Sequence, residues 1–83
     1  MPGYEFFVRF DSKASALEAG ITLGIEDYGT QPTADDSRSS WILSAIWSGK
    51  YGRQVAERRV QEVAEQFGGT YEGYKKLPDD VDE

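Results

Sequence analysis

Two pairs of neighbouring carboxylates, Glu26-Asp27 and Asp35-Asp36, and three serines, Ser39, Ser40 and Ser44, are the side chains of this sequence whose types and spacing come nearest to chemistry. Each set lacks the partner that its chemistry needs. Two carboxylates act as acid and base when their environments drive their pKa values apart, whereas adjacent acids on a polar loop are solvated alike. A serine becomes a nucleophile through a base beside it, and the chain contains no His. A hard cation at Asp35-Asp36 needs about six oxygen ligands, and no EF-hand spacing surrounds the pair. The absence of Cys removes thiolate metal sites and disulfides. Gly20, Gly24, Gly29 and Gly49 are scattered and do not make a phosphate loop. The sequence predicts no catalytic residue, no metal and no cofactor, hence a non-enzymatic protein.

Fifteen acidic residues against nine basic ones give a net charge of -6. That sign repels phosphate backbones and suits a basic or mixed-charge protein partner, so no direct contact with nucleic acid is expected. Much of the imbalance is terminal, because Asp79, Asp80, Asp82 and Glu83 follow Pro78. Residues 78–83 read as a disordered acidic tail and residues 1–77 as a single domain. No basic and apolar leader and no membrane-length apolar run is present, so a cytoplasmic protein that does not touch membranes is expected.

These side chains must be positioned by elements that the apolar spacing reveals. Tyr4, Phe6, Val8 and Phe10 alternate with Glu5, Phe7 and Arg9, the period of a half-buried strand. Asp11 or Ser12 can cap a following helix, in which Ala14, Leu17 and Ile21 repeat at spacings of three and four and Gly24 provides the end. Residues 25–30 read as a short edge strand and residues 32–39 as a mobile loop. The apolar run from Trp41 to Trp47 is a central strand, followed by a turn at residues 48–50. Ala56, Val60, Val63 and Phe67 define a second helix ending at Gly68-Gly69, and residues 70–77 form the last strand. The order βαββαβ predicts an α+β fold, a ferredoxin-like two-layer sandwich with two helices on one face of a four-stranded antiparallel sheet.

Such a sheet has an open face, and eleven aromatics are available to occupy it. An RNA-recognition module would carry a basic-Gly-aromatic run in its third strand, and "SSWILSAIW" has neither a basic residue nor a glycine. Phe7 falls out of phase with the core positions of its strand and is expected on the open side. Of Tyr71 and Tyr74, one is expected beneath the second helix and the other, Tyr74, beside Phe7. Phe7, Tyr74 and Trp47 are the expected anchors for a protein partner, with Asp35 and Asp36 as steering charges. Cross-strand pairing that stabilises the sheet explains the same aromatics without any partner.

The segment "FGGTYEGY", from Phe67 to Tyr74, resembles the closing signature of the regulator of ribonuclease activity B family, Gly-Gly-x-Tyr-Asp-Gly-Trp. Glu72 stands in place of the usual Asp and Tyr74 in place of the usual Trp. "YEFFVRF" and "WILSA" are similar to the family's early aromatic strand and central strand, so the likeness runs from about Tyr4 to Tyr74. It implies an acidic, non-enzymatic protein that binds ribonuclease E and restrains RNA decay by altering the degradation complex. It implies no role for any individual residue. The alternative expectation is a homodimeric small-molecule-binding module that uses the same open sheet face.

Overall fold

Alternation in the first aromatic segment sets the frame, because a strand sends every second side chain to the same face. In the computed structural model, which describes residues 3–36, 39–47 and 52–77, this segment is β1 (Tyr4–Phe10), with Phe6, Val8 and Phe10 buried on one side. It is followed by α1 (Lys13–Ile25), β2 (Gly29–Asp35), β3 (Ser40–Trp47), α2 (Arg53–Gln66) and β4 (Thr70–Lys76). The strands form one sheet in the order β2-β3-β1-β4, and every neighbouring pair is antiparallel. Both helices bury residues against the same face, which gives the ferredoxin-like βαββαβ sandwich that the element order predicts. The turn expected at residues 48–50 and the acidic tail at 78–83 lie outside the described residues, as do residues 37 and 38 of the expected loop.

The polar middle of the chain departs from expectation. Ile25 closes α1, and one strand of seven residues runs through Pro32 and pairs with β3 from Gly29↔Ile46 to Asp35↔Ser40. Proline is compatible with this strand because β2 lies at the sheet edge, where half of the backbone groups need no strand partner.

In α1 the helix start is as expected. Ser12 is the N-cap, and its hydroxyl accepts a hydrogen bond from the Ser15 N–H at 3.2 Å. The end falls beside Gly24 as expected, at Ile25, and the left-handed residue that turns the chain away is Asp27 at φ 74°, a conformation that Asp adopts more readily than most residues. The buried side is different, consisting of Ala16, Ala19, Gly20 and Leu23. The two alanines and Gly20 bring the helix close to the sheet: a Cβ at Gly20 would stand 3.3 Å from Leu43 Cδ1, and the Thr30 hydroxyl donates to the Gly20 carbonyl at 3.1 Å. Leu17 and Ile21, whose spacing suggested the core face, point away from it.

The second half follows the sequence more closely. Ala56, Val60, Val63 and Ala64 are buried on α2, and Phe67 packs partly against the same core. The double glycine then lets the chain pass over β1, since a Cβ at Gly69 would come within 2.5 Å of the Phe10 ring. On β3, Leu43, Ala45 and Trp47 face inward, and Trp47 meets Tyr28 with ring centroids 5.2 Å apart while the Tyr28 hydroxyl donates to the Ala56 carbonyl at 3.0 Å. Burying each large apolar side chain of this kind contributes about 1.5–3 kcal/mol.

Candidate functional site

The side of the sheet away from the helices is assembled from the other parity of each strand. β1 contributes Glu5, Phe7 and Arg9, and β3 contributes Ile42, Ser44 and Ile46 directly opposite them. Gln31, Thr33 and Asp35 of β2 continue the rows at one edge, and Glu72, Gly73 and Lys75 of β4 continue them at the other. Arg9 ties all four strands together. Its Nη1 donates to Asp35 Oδ2 at 3.0 Å and to the Ser40 hydroxyl at 2.5 Å, and its Nη2 donates to Glu72 Oε1 at 3.3 Å. The hydrogen bond to Asp35, then that to Glu72, raises the Arg9 pKa above its ordinary value. The Arg9 Nε is buried without a hydrogen-bond partner. At the other end of the face, Glu5 accepts from the Ser44 hydroxyl and lies 3.8 Å from Lys75 Nζ.

Phe7 lies between these polar clusters, and the other apolar residues of the face, Ile42 and Ile46, pair directly with Arg9 and Glu5. Phe7 is half-buried between Ser44 on one side and Gly73 on the other, and Ile42 and Ile46 flank it on β3, Ile46 being 42% exposed. A face of this kind, with an apolar centre and charged groups already paired around it, offers contact area without isolated charges to desolvate.

The expected site residues separate into two groups. Phe7 and Asp35 are on the open face, and Asp36 is exposed in the turn that follows β2. Asp35, however, is engaged by Arg9 and is not a free steering charge. Trp47 is 1% exposed and belongs to the core, because it shares the inward parity of Leu43 and Ala45. Tyr74 is on the helix side as well. The register of β4 shifts so that Gly73 faces Phe7 and Tyr71 faces Val8, which leaves Glu72 as the extra residue of a bulge with Gly73 at φ 119°. Two residues then share the open side, and Tyr71 and Tyr74 both turn toward the helices. Tyr74 meets Tyr4 edge-on at 5.9 Å and carries the Arg53 guanidinium 4.5 Å above its ring.

Ile42 and Ile46 were legible in the alternation of β3 once Trp41 and Trp47 were given to the core. A second exposed apolar set lies on the helices: Leu17, Ile21 and Ile25 of α1 and Val55 of α2. Near it, Arg59 grips both carboxylate oxygens of Glu26, at 2.8 Å from Nε to Oε1 and 2.5 Å from Nη2 to Oε2, and so joins the two helices. This contact occupies the edge of a cleft of about 310 Å³ between α2 and the end of α1. Of the carboxylate pairs, Glu26-Asp27 is therefore divided between an interhelical salt bridge and a helix end, and Asp35-Asp36 between the Arg9 cluster and a turn. Among the described residues, no three His, Cys, Asp or Glu side chains converge as a metal site. No described helix is long and apolar enough to cross a membrane.

Compared with protein-family models and with curated proteins, the chain matches none.

Proposed function

We propose that this chain is a non-enzymatic regulatory protein of the cytoplasm that binds another protein across the open face of its sheet. The observation that carries this reading is the apolar group on a sheet face that neither helix covers: Phe7 lies between the Arg9 and Glu5 clusters, and Ile42 and Ile46 stand directly across the strand pair from Arg9 and Glu5. Phe7 is the central anchor, the two isoleucines widen the contact, and the paired charges around them set orientation. Asp36 and the net charge of -6 favour a partner with basic residues around its docking surface. The resemblance of "FGGTYEGY" to the ribonuclease regulators makes ribonuclease E, or another component of RNA decay, the proposed partner.

The test is direct titration of purified ribonuclease E, free of RNA, with the wild-type protein and with a Phe7→Ala, Ile46→Ala double variant. Saturable binding that weakens at least tenfold in the folded double variant is the expected result. The reading is overturned if the nuclease does not bind, or if the folded double variant binds as tightly as the wild type.

A further inference from the structure

We propose that the protein pairs with a second copy of itself through the outer surface of α1, with the two helices antiparallel. A surface helix ordinarily puts its large apolar side chains inward and polar ones outward. α1 instead sends three of its four large apolar side chains outward. Its sheet side is Ala16, Ala19, Gly20 and Leu23, while Leu17, Ile21 and Ile25 are 42%, 65% and 79% exposed. Ala14 extends the outer stripe by one turn and Glu18 is the acidic residue beside it. A helix that is apolar on both sides is a helix covered on both sides, and the sheet covers only one. The neighbouring helix does not share the pattern, since the exposed positions of α2 include Gln54, Arg58, Gln61, Glu62 and Glu65.

Charge decides what the second cover is. Along α1 the cation Lys13 stands at the start, Ile21 near the middle of the stripe, and Glu26 and Asp27 just past the end. Two copies of an acidic chain repel in general, so a stable pairing must bring opposite charges together. The antiparallel arrangement does so twice. It places Ile21 against Ile21 of the second copy, Leu17 against Ile25, and Lys13 near Asp27 at both ends, with the helix dipoles opposed. The Lys13 ammonium lies over the Trp41 ring of β3, 5.5 Å from its centre, and pairing draws this long side chain outward from the sheet side of the helix start. A parallel arrangement would stack lysine on lysine and acid on acid. The same surface therefore complements itself. The stripe is short, which puts the contact among small, rapidly exchanging interfaces with association in the micromolar range. This pairing does not rest on the partner proposed above, and it leaves the open sheet face of each copy outward.

Sedimentation equilibrium of the full chain from about 5 µM to about 1 mM tests it. The mass should rise with concentration from the monomer value of 9.3 kDa toward twice that. Ile21→Glu should hold the monomer mass throughout with an unchanged circular dichroism spectrum, because the side chain it replaces is outside the core. Lys13→Glu and Asp27→Lys should each weaken pairing at least tenfold, and an equimolar mixture of these two variants should restore it, since both ends then join opposite charges. A wild-type protein that stays at the monomer mass overturns the proposal, as does a dimer that survives Ile21→Glu or a mixture of charge variants that fails to pair.

Discussion

Tyr74 meets Phe6 on the helix side of the sheet, with ring centroids 6.0 Å apart, although strict alternation from Tyr71 would send it to the opposite side. The exchange depends on the bulge at Glu72-Gly73 and on the φ of 119° that Gly73 holds there. A Cβ at this position would meet nothing within 4 Å, so the restriction is in the backbone and not in the space around it. Gly73→Ala should therefore cost about 1–2 kcal/mol in urea unfolding, and Gly73→Val more. Equal stability of Gly73→Ala and the wild type would show that the bulge is not needed to place Tyr74.

The same bulge shows where the sequence stops being legible. Alternation identified β1 completely, and the apolar run identified β3, because side chains buried on one face impose a period that no other element has. The bulge adds one residue and reverses every parity beyond it, so Tyr74 was assigned to the wrong face from a pattern that was correct up to Tyr71. In α1 the error had another source. Ala, Gly and Leu on one side and Leu and Ile on the other give two apolar stripes, and periodicity favours the bulkier one. Close packing against Leu43 and Thr30 selected the smaller. The edge strand was expected too early, at residues 25–30, and most of β2 was read as loop, because an edge strand can be polar and carry proline. Of the open face, Phe7 was readable from phase alone, while the engagement of Asp35 by Arg9 required a pairing across β3 that no local pattern contains.

Gly69 is fixed by contact and not by conformation. Its backbone passes over Phe10, and a methyl group there would come within 2.5 Å of the ring. Gly69→Ala should destabilise the protein by about 1–3 kcal/mol. Reducing the ring with Phe10→Leu has its own cost, but the double variant should be more stable than the sum of the two single changes implies. Urea midpoints of the four proteins measure that coupling, and strict additivity would refute the contact.

The Glu26-Arg59 bridge predicts a response to acid. Hydrogen bonds from Arg59 hold the Glu26 carboxyl below its ordinary value of 4.5. A carboxyl depressed by folding contributes its full stabilisation above the ordinary value and loses it as the pH falls through the folded one. Both side chains are about a third exposed, at 36% and 34%, so solvent screening limits the contribution to about 0.5–1 kcal/mol. Glu26→Gln should lower stability at pH 7 by about that amount and converge on the wild type as the pH falls through the depressed folded value. A difference that stays constant across this range would mean that the ion pair is not its source.

Tyr71 gives the opposite dependence. Its hydroxyl donates to Glu57 Oε2 at 2.7 Å beneath α2. Burial first, then that hydrogen bond and the negative charge of Glu57, push its pKa well above the ordinary tyrosine value of 10. A group whose folded pKa is raised contributes fully below its unfolded value. Above about pH 10 the unfolded chain releases a proton that the folded protein keeps, and stability declines with each further step in pH. Tyr71→Phe should be less stable than the wild type near neutrality, because Glu57 loses one of its two donors and keeps only Arg53, and should show a shallower decline above about pH 10. Tyrosinate absorbance separates this from a simple loss of packing. The amplitude that Tyr71→Phe lacks should be absent from the wild-type titration near pH 10 and appear only when the protein unfolds. If that amplitude appears near pH 10 in the folded protein, Tyr71 is not held by Glu57, and β4 does not turn this tyrosine beneath the helix.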